Sequence, residues 1–146
     1  MKYADNIQDI IALNPEYIGF IFWEKSSRNM TIKTLPEIPN TIKKVGVFVD
    51  ATIEEIGLKI DQYQLDIIQL HGNESVGFCE ALKQYNIKII KAFSVDNYFD
   101  FSTLKRYTPH VDYFLFDTKG KLPGGNGIIF NWKILENYTY EKPFFL

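Results

Sequence analysis

The sequence predicts an α/β fold built on a parallel sheet, and three observations carry that prediction. Short, wholly apolar runs recur along the chain, amphipathic helical patterns lie between them, and no linker or low-complexity tract interrupts the rhythm. Runs that do not alternate polar with apolar belong to strands buried on both faces, which is the habit of parallel sheets. Strands separated by helices are joined by right-handed crossovers. The 146 residues read as one domain, long enough for a sizeable core.

Taken in order, Ile7, Ile10 and Ile11 share one helical face, and Asn14-Pro15 stops that helix. The first apolar run covers residues 17–22. The stretch from Met30 to Asn40 contains Pro36 and Pro39, which limit any helix there to about one or two turns. Residues 45–49 form the next run. Thr52 and Glu55 then have the spacing of a capping box ahead of Ile53, Ile56 and Ile60. Further runs at 67–70 and 89–93 bracket a helix that Ser75 caps and that carries Phe78, Cys79, Leu82 and Tyr85. Leu104 and Tyr107 mark another helix before the run at 113–116. Asn131 is placed to cap a short helix with Trp132 and Leu135, and residues 143–146 form a last strand.

Two architectures fit this rhythm. One is a complete doubly wound sheet, which suits the length. The other is part of an eight-unit barrel, which takes about 250 residues when whole.

Composition narrows the function. Hydrophobic residues make up 46% and charged residues 23%, and the net charge is −2, so no basic footprint for nucleic acid or an anionic membrane is visible. The single cysteine, Cys79, rules out an internal disulfide and a Cys-rich metal site, and its place on an apolar helical face reads as core. No apolar run reaches membrane-spanning length, and the polar start of the chain is unlike a secretory leader. A cytoplasmic location is the expectation. Aromatic residues reach 16%, mostly inside the apolar runs, where they serve packing.

In either architecture chemistry gathers at the carboxyl ends of the strands. Gln69 and His71 stand at the end of one strand, and Asp117 follows four apolar residues at the end of another. A carboxyl partly buried at such a mouth suits a general acid; a helix cap or a loop ion pair is the plainer role. His71 alone fits a packed loop histidine as well as a site residue. Arg28, in a Ser-rich loop, could clamp a carboxylate or phosphate in bidentate fashion, or simply be solvated. The loop with Gly124, Gly125, Asn126 and Gly127 has neither Walker nor dinucleotide spacing, and reads as a lid or a turn.

Together these segments resemble phosphoribosylanthranilate isomerase along nearly the whole chain. The matches run in order: Asp5-Asn6-Ile7, Gly19-Phe20-Ile21-Phe22, Lys25-Ser26-Ser27-Arg28, and Val45-Gly46-Val47-Phe48-Val49. Then come Gln69-Leu70-His71-Gly72-Asn73-Glu74, Lys91-Ala92-Phe93, Phe116-Asp117-Thr118, Gly124-Gly125-Asn126-Gly127, Phe130-Asn131-Trp132 and Pro143-Phe144-Phe145-Leu146. The resemblance implies a (β/α)8 TIM barrel, here incomplete, with about six of the eight strands and without the first and last. It implies an Amadori rearrangement of N-(5-phosphoribosyl)anthranilate to 1-(2-carboxyphenylamino)-1-deoxyribulose 5-phosphate in tryptophan biosynthesis. No metal or organic cofactor is implied, and the only partner expected is the phosphorylated small-molecule substrate. By motif, Asp117 would be the general acid and Arg28 would hold the anthranilate carboxylate. Gln69 and His71 would line the pocket, and Gly124, Gly125 and Gly127 would belong to a loop that closes over the sugar.

Two loop positions depart from the family's pattern, which has Ser-Pro-Arg at Ser26-Ser27-Arg28 and Thr or Ser at Asn126. The family's base is a cysteine in Cys-Gly-Met, and Met1 falls in the place of that methionine. The expectation is therefore that these 146 residues alone lack the base and most of the phosphate-binding segment, and are inactive by themselves, with two unpaired sheet edges. The competing readings are a non-catalytic barrel fragment or interaction module, and another phosphate-binding barrel isomerase or epimerase, which would need metal ligands at the strand ends. Oligomeric state is not readable from the sequence.

Overall fold

The computed structural model describes residues 2–118 and 132–146. Six strands form one sheet: β1 (Tyr17–Phe22), β2 (Lys43–Phe48), β3 (Ile67–Leu70), β4 (Lys88–Val95), β5 (Tyr113–Thr118) and β6 (Phe144–Phe145). Each pairs in parallel with the next, in the order β1-β2-β3-β4-β5-β6. This order decides between the two architectures. A doubly wound sheet reverses its strand order once, so that helices cover both faces. Here every crossover steps the same way, which puts all the helices on one face and coils the other face inward.

The two faces are distinct in their packing. The outer, helix-covered layer is the large core, in which Ile7, Phe20, Ile56, Leu70, Leu82 and Phe114 are fully buried. A smaller inner cluster joins Val45, Ile67 and Ile90 to Tyr113, Leu115 and Phe145. The coiling brings the outermost strands together: the Tyr17 ring of β1 meets the Phe145 ring of β6 edge-on, with centroids 5.7 Å apart.

The helices form where the sequence supplies their ends. α1 (Ala4–Ile11) buries Ile7 on the sheet, with Ile10 and Ile11 partly buried beside it. The chain then turns through Asn14 at φ 49°, a left-handed position that asparagine tolerates. α2 (Ile53–Tyr63) begins with a complete capping box. The Glu55 N–H donates to Thr52 Oγ1 at 3.2 Å, and the Thr52 N–H donates to Glu55 Oε2 at 2.8 Å. It ends at Gln64 in the left-handed conformation. α3 (Val76–Leu82) starts where the Ser75 hydroxyl accepts from the Phe78 N–H at 3.2 Å. No helix among the described residues is long and apolar enough to cross a membrane.

Three expectations change in detail. The segment marked by Leu104 and Tyr107 is a 3-10 helix, Phe101–Arg106, rather than an α-helix. Trp132–Asn137 is also 3-10, and its expected cap, Asn131, lies outside the described residues. β5 runs on to Thr118, so Asp117 sits within the strand rather than after it.

Candidate active site

The mouth of the sheet is built by strand register. Residues alternate faces along a strand, so Gln69, two residues on from Ile67, and Asp117, two on from Leu115, both face inward. On β4, Ala92 pairs with Leu115 and Ser94 pairs with Asp117. Continuing the β3–β4 register by one residue places His71 alongside Ala92. The small Ala92 side chain leaves the space across which the His71 and Asp117 side chains meet. Nε2 of His71 lies 3.4 Å from Oδ2 of Asp117.

The histidine ring is oriented from its other side. The Gln69 amide nitrogen stands 2.9 Å from His71 Nδ1. An amide nitrogen only donates, so Nδ1 accepts and the ring proton sits on Nε2, facing Asp117. Nε2 is buried and makes no aligned hydrogen bond, so its attraction to Asp117 is electrostatic. Burial holds the His71 pKa below its ordinary 6.5. Asp117 works against that lowering, Lys91 adds to it, and Glu74 opposes it more weakly. The imidazole is therefore neutral at neutral pH, a polar group with an N–H to offer at the mouth.

Beneath the mouth a second polar group ties the strand ends together. Glu74 and Lys91 are almost fully buried, and Lys91 Nζ lies 3.1 Å from Glu74 Oε2. The Glu74 carboxylate accepts from the Gly72 N–H and from the Asp50 N–H, joining the loops after β2 and β3. Gly72 is required by this approach, because a Cβ there would stand 2.3 Å from Asp50 Oδ1 and 2.7 Å from the Asp50 nitrogen. Asp50 itself has φ 50° and accepts from the Asn73 N–H at 2.6 Å.

A cavity of about 770 Å³ opens beside these residues, lined by Trp23, Asp50, His71, Lys91, Ser94 and Tyr107 among others; of the three grouped side chains His71 lines it, and Gln69 and Asp117 do not. The cavity's size suits a small-molecule ligand. The structure thus brings Gln69, His71 and Asp117 together. It does not bring Arg28 to them. Arg28 is exposed on the loop after β1, where its N–H donates to Ser26 Oγ, and it lines neither this cavity nor a second one of about 450 Å³ beside α2. Gly124, Gly125 and Gly127 lie outside the described residues. Cys79 is fully buried on α3, and its burial pushes the thiol pKa up to about 11. It belongs to the core, as its helical position indicated. No group of three or more His, Cys, Asp or Glu residues among the described residues could hold a metal ion.

Sequence reasoning missed Ser94, Glu74 and Lys91 as parts of this mouth. Lys91 carried a signal, being a lysine inside an otherwise apolar run. Such a residue in a central strand has to find a buried partner.

A family model described as N-(5'-phosphoribosyl)anthranilate isomerase matches residues 1–146, the whole chain. The chain belongs to the phosphoribosylanthranilate isomerase family. A relative of that name from Parabacteroides distasonis is 42% identical over 153 residues, covering 100% of this chain and 68% of the relative. The crystal structure of the isomerase from Thermotoga maritima superposes with a TM-score of 0.79 at 29% identity, covering 94% of this chain and 68% of that one. A further isomerase structure, solved with reduced 1-(o-carboxyphenylamino)-1-deoxyribulose 5-phosphate, matches with a TM-score of 0.60 at 25% identity, over 80% of this chain and 71% of that one. The chain thus spans about two thirds of the length of these isomerases. The (β/α)-barrel architecture read from the strand order is the one these structures share.

Proposed function

We propose that the mouth of this sheet is the substrate site of a phosphoribosylanthranilate isomerase in tryptophan biosynthesis, with Asp117 as its general acid. The observation that supports the reading most is the His71–Asp117 pair across Ala92, an acid beside a neutral hydrogen-bond donor on the inner face of the barrel. The rearrangement needs a proton delivered to the furanose ring oxygen of N-(5-phosphoribosyl)anthranilate, which opens the ring to a Schiff base. A base then removes the proton at C2, and the enamine becomes the ketose. Asp117, on the inner face of the sheet, would give the first proton. By the family's motif, Gln69 and His71 would line the pocket that takes the substrate. Among the described residues, no cysteine stands at the mouth to take the C2 proton, since Cys79 is sealed beneath α3. Arg28 would reach the anthranilate carboxylate only by a movement of its loop. The loop carrying Gly124, Gly125 and Gly127 would close over the sugar. The substrate is a soluble phosphorylated metabolite, which agrees with a cytoplasmic enzyme.

The test follows rearrangement of N-(5-phosphoribosyl)anthranilate by chromatography. In any preparation that turns over, Asp117→Asn is expected to lower the rate by about 10²–10⁴-fold while the fold is kept. A folded Asp117→Asn protein that turns over as fast as its parent removes Asp117 from the role of acid.

A further inference from the structure

Two charges, Glu74 and Lys91, are buried at this mouth. A buried ion pair often contributes no more to stability than apolar residues of the same volume. The contacts of Glu74 and Lys91 fall on one place. Lys91 Nζ donates to the carbonyl of Gly72 at 2.8 Å and reaches that of Leu70 at 3.4 Å, the two residues flanking His71. It also donates to the Ala92 carbonyl at 2.9 Å, on the strand across which His71 meets Asp117. The Glu74 carboxylate accepts the Gly72 N–H with both oxygens, at 3.1 and 3.0 Å. An ammonium has three protons, so these three carbonyls and the Glu74 oxygen share them, and Leu70 holds the longest contact. The His71 N–H itself donates to the Phe48 carbonyl at 2.8 Å.

We propose that Glu74 and Lys91 form a positioning pair that fixes the backbone on both sides of His71 and so aims its ring at Asp117. Lys91 leaves β4 on the helix-covered face, between the inward-facing Ile90 and Ala92, and both members of the pair are among the residues lining the cavity. The pair acts through the Leu70 and Gly72 peptides, with His71 as the group presented. A pair that served packing alone would have no need to grip both neighbours of one side chain and the strand beneath it. The inference deepens the isomerase reading, because it concerns the residue that reading places beside the acid, but its geometric content stands without any turnover.

The experiment reads His71 directly. The chain has two histidines, so its imidazole signals in ¹H–¹⁵N spectra are two, His71 and His110. The charged groups facing His71 are Asp117, Lys91 and Glu74. In the parent protein, Asp117→Asn is expected to move the His71 titration midpoint downward, because the aspartate favours the charged ring. The same substitution is then made in a Glu74→Gln/Lys91→Met protein, which removes both buried charges together and leaves neither unpaired. Loss of most of the Asp117→Asn response in that folded background is the expected result. A full response there would mean that the ring is aimed without the pair, and would overturn the proposal. Lys91→Met alone removes the contacts to the Leu70, Gly72 and Ala92 carbonyls, and gives a second reading if the double variant does not fold. A reduced response supports the proposal and an undiminished one overturns it. Failure of a product-like ligand to shift His71 would count against the isomerase reading and would leave this test unaffected.

Discussion

Nε2 of His71 lies 3.4 Å from Oδ2 of Asp117, although His71 directly follows β3 and Asp117 lies in β5, with β4 between them. The contact depends on a small residue, Ala92, between them, and on Gln69 holding the far nitrogen of the ring. It links fold to chemistry, because only the inner face of a coiled parallel sheet sets these side chains on a common wall.

The histidine makes stability depend on pH. Burial lowers its folded-state pKa below the unfolded value of 6.5. Above pH 6.5 both states hold the ring neutral and the group contributes no slope. As pH falls below 6.5 the unfolded chain takes up a proton that the folded chain resists, so stability declines until the folded pKa is reached. Urea unfolding between pH 7.5 and 5 is expected to show this decline, and His71→Gln is expected to flatten it. A parent protein as stable at pH 5 as at 7.5, with His71→Gln parallel to it, would show that the ring is not held neutral by burial.

Gly72→Ala is expected to be costly out of proportion to one methyl group. The added carbon meets the Asp50 backbone nitrogen at 2.7 Å, and backbone cannot swing aside. A loss of about 1–3 kcal/mol follows from such overpacking, read from the urea midpoint. Asn73→Ala, which retains the backbone N–H that reaches Asp50, is the control and is expected to change little.

Thr52→Ala breaks one half of the α2 capping box and is expected to cost about 1 kcal/mol. Thermal unfolding checks it. An unchanged midpoint would show that the first turn of α2 is held by packing of Ile56 rather than by its cap.

Cys79 is expected to be inert in the native protein. With its thiol pKa near 11, thiolate at pH 8 amounts to on the order of 10⁻³ of the molecules, and the side chain is buried. A thiol reagent should react only after denaturant is added. Rapid labelling under native conditions would place the thiol in contact with solvent and reopen its part in chemistry.

The strands were legible because each is an apolar run with no alternation, and all six runs lie within two residues of a strand's ends. The choice of barrel over doubly wound sheet was not legible in periodicity. It depends on the direction of each crossover, which local pattern does not encode, and it came from the ordered motifs. Gln69, His71 and Asp117 could be singled out as neighbours because strand ends are where parallel sheets gather polar side chains. Arg28 could not be placed, since an exposed loop side chain has no register to hold it. Glu74 and Lys91 were hidden for another reason: their partners are peptide groups and each other, on separate elements, and no spacing rule joins them.

The most direct measurement is where a product-like ligand sits. Reduced 1-(o-carboxyphenylamino)-1-deoxyribulose 5-phosphate, the molecule bound by one of the related isomerases, is titrated into the protein while both histidine imidazoles are followed by NMR. The account predicts a saturable shift of His71, with His110 unmoved, and a weaker or altered response in Asp117→Asn. Both imidazoles unmoved at millimolar ligand, or His110 moving in place of His71, would contradict the assignment of this mouth as the isomerase site.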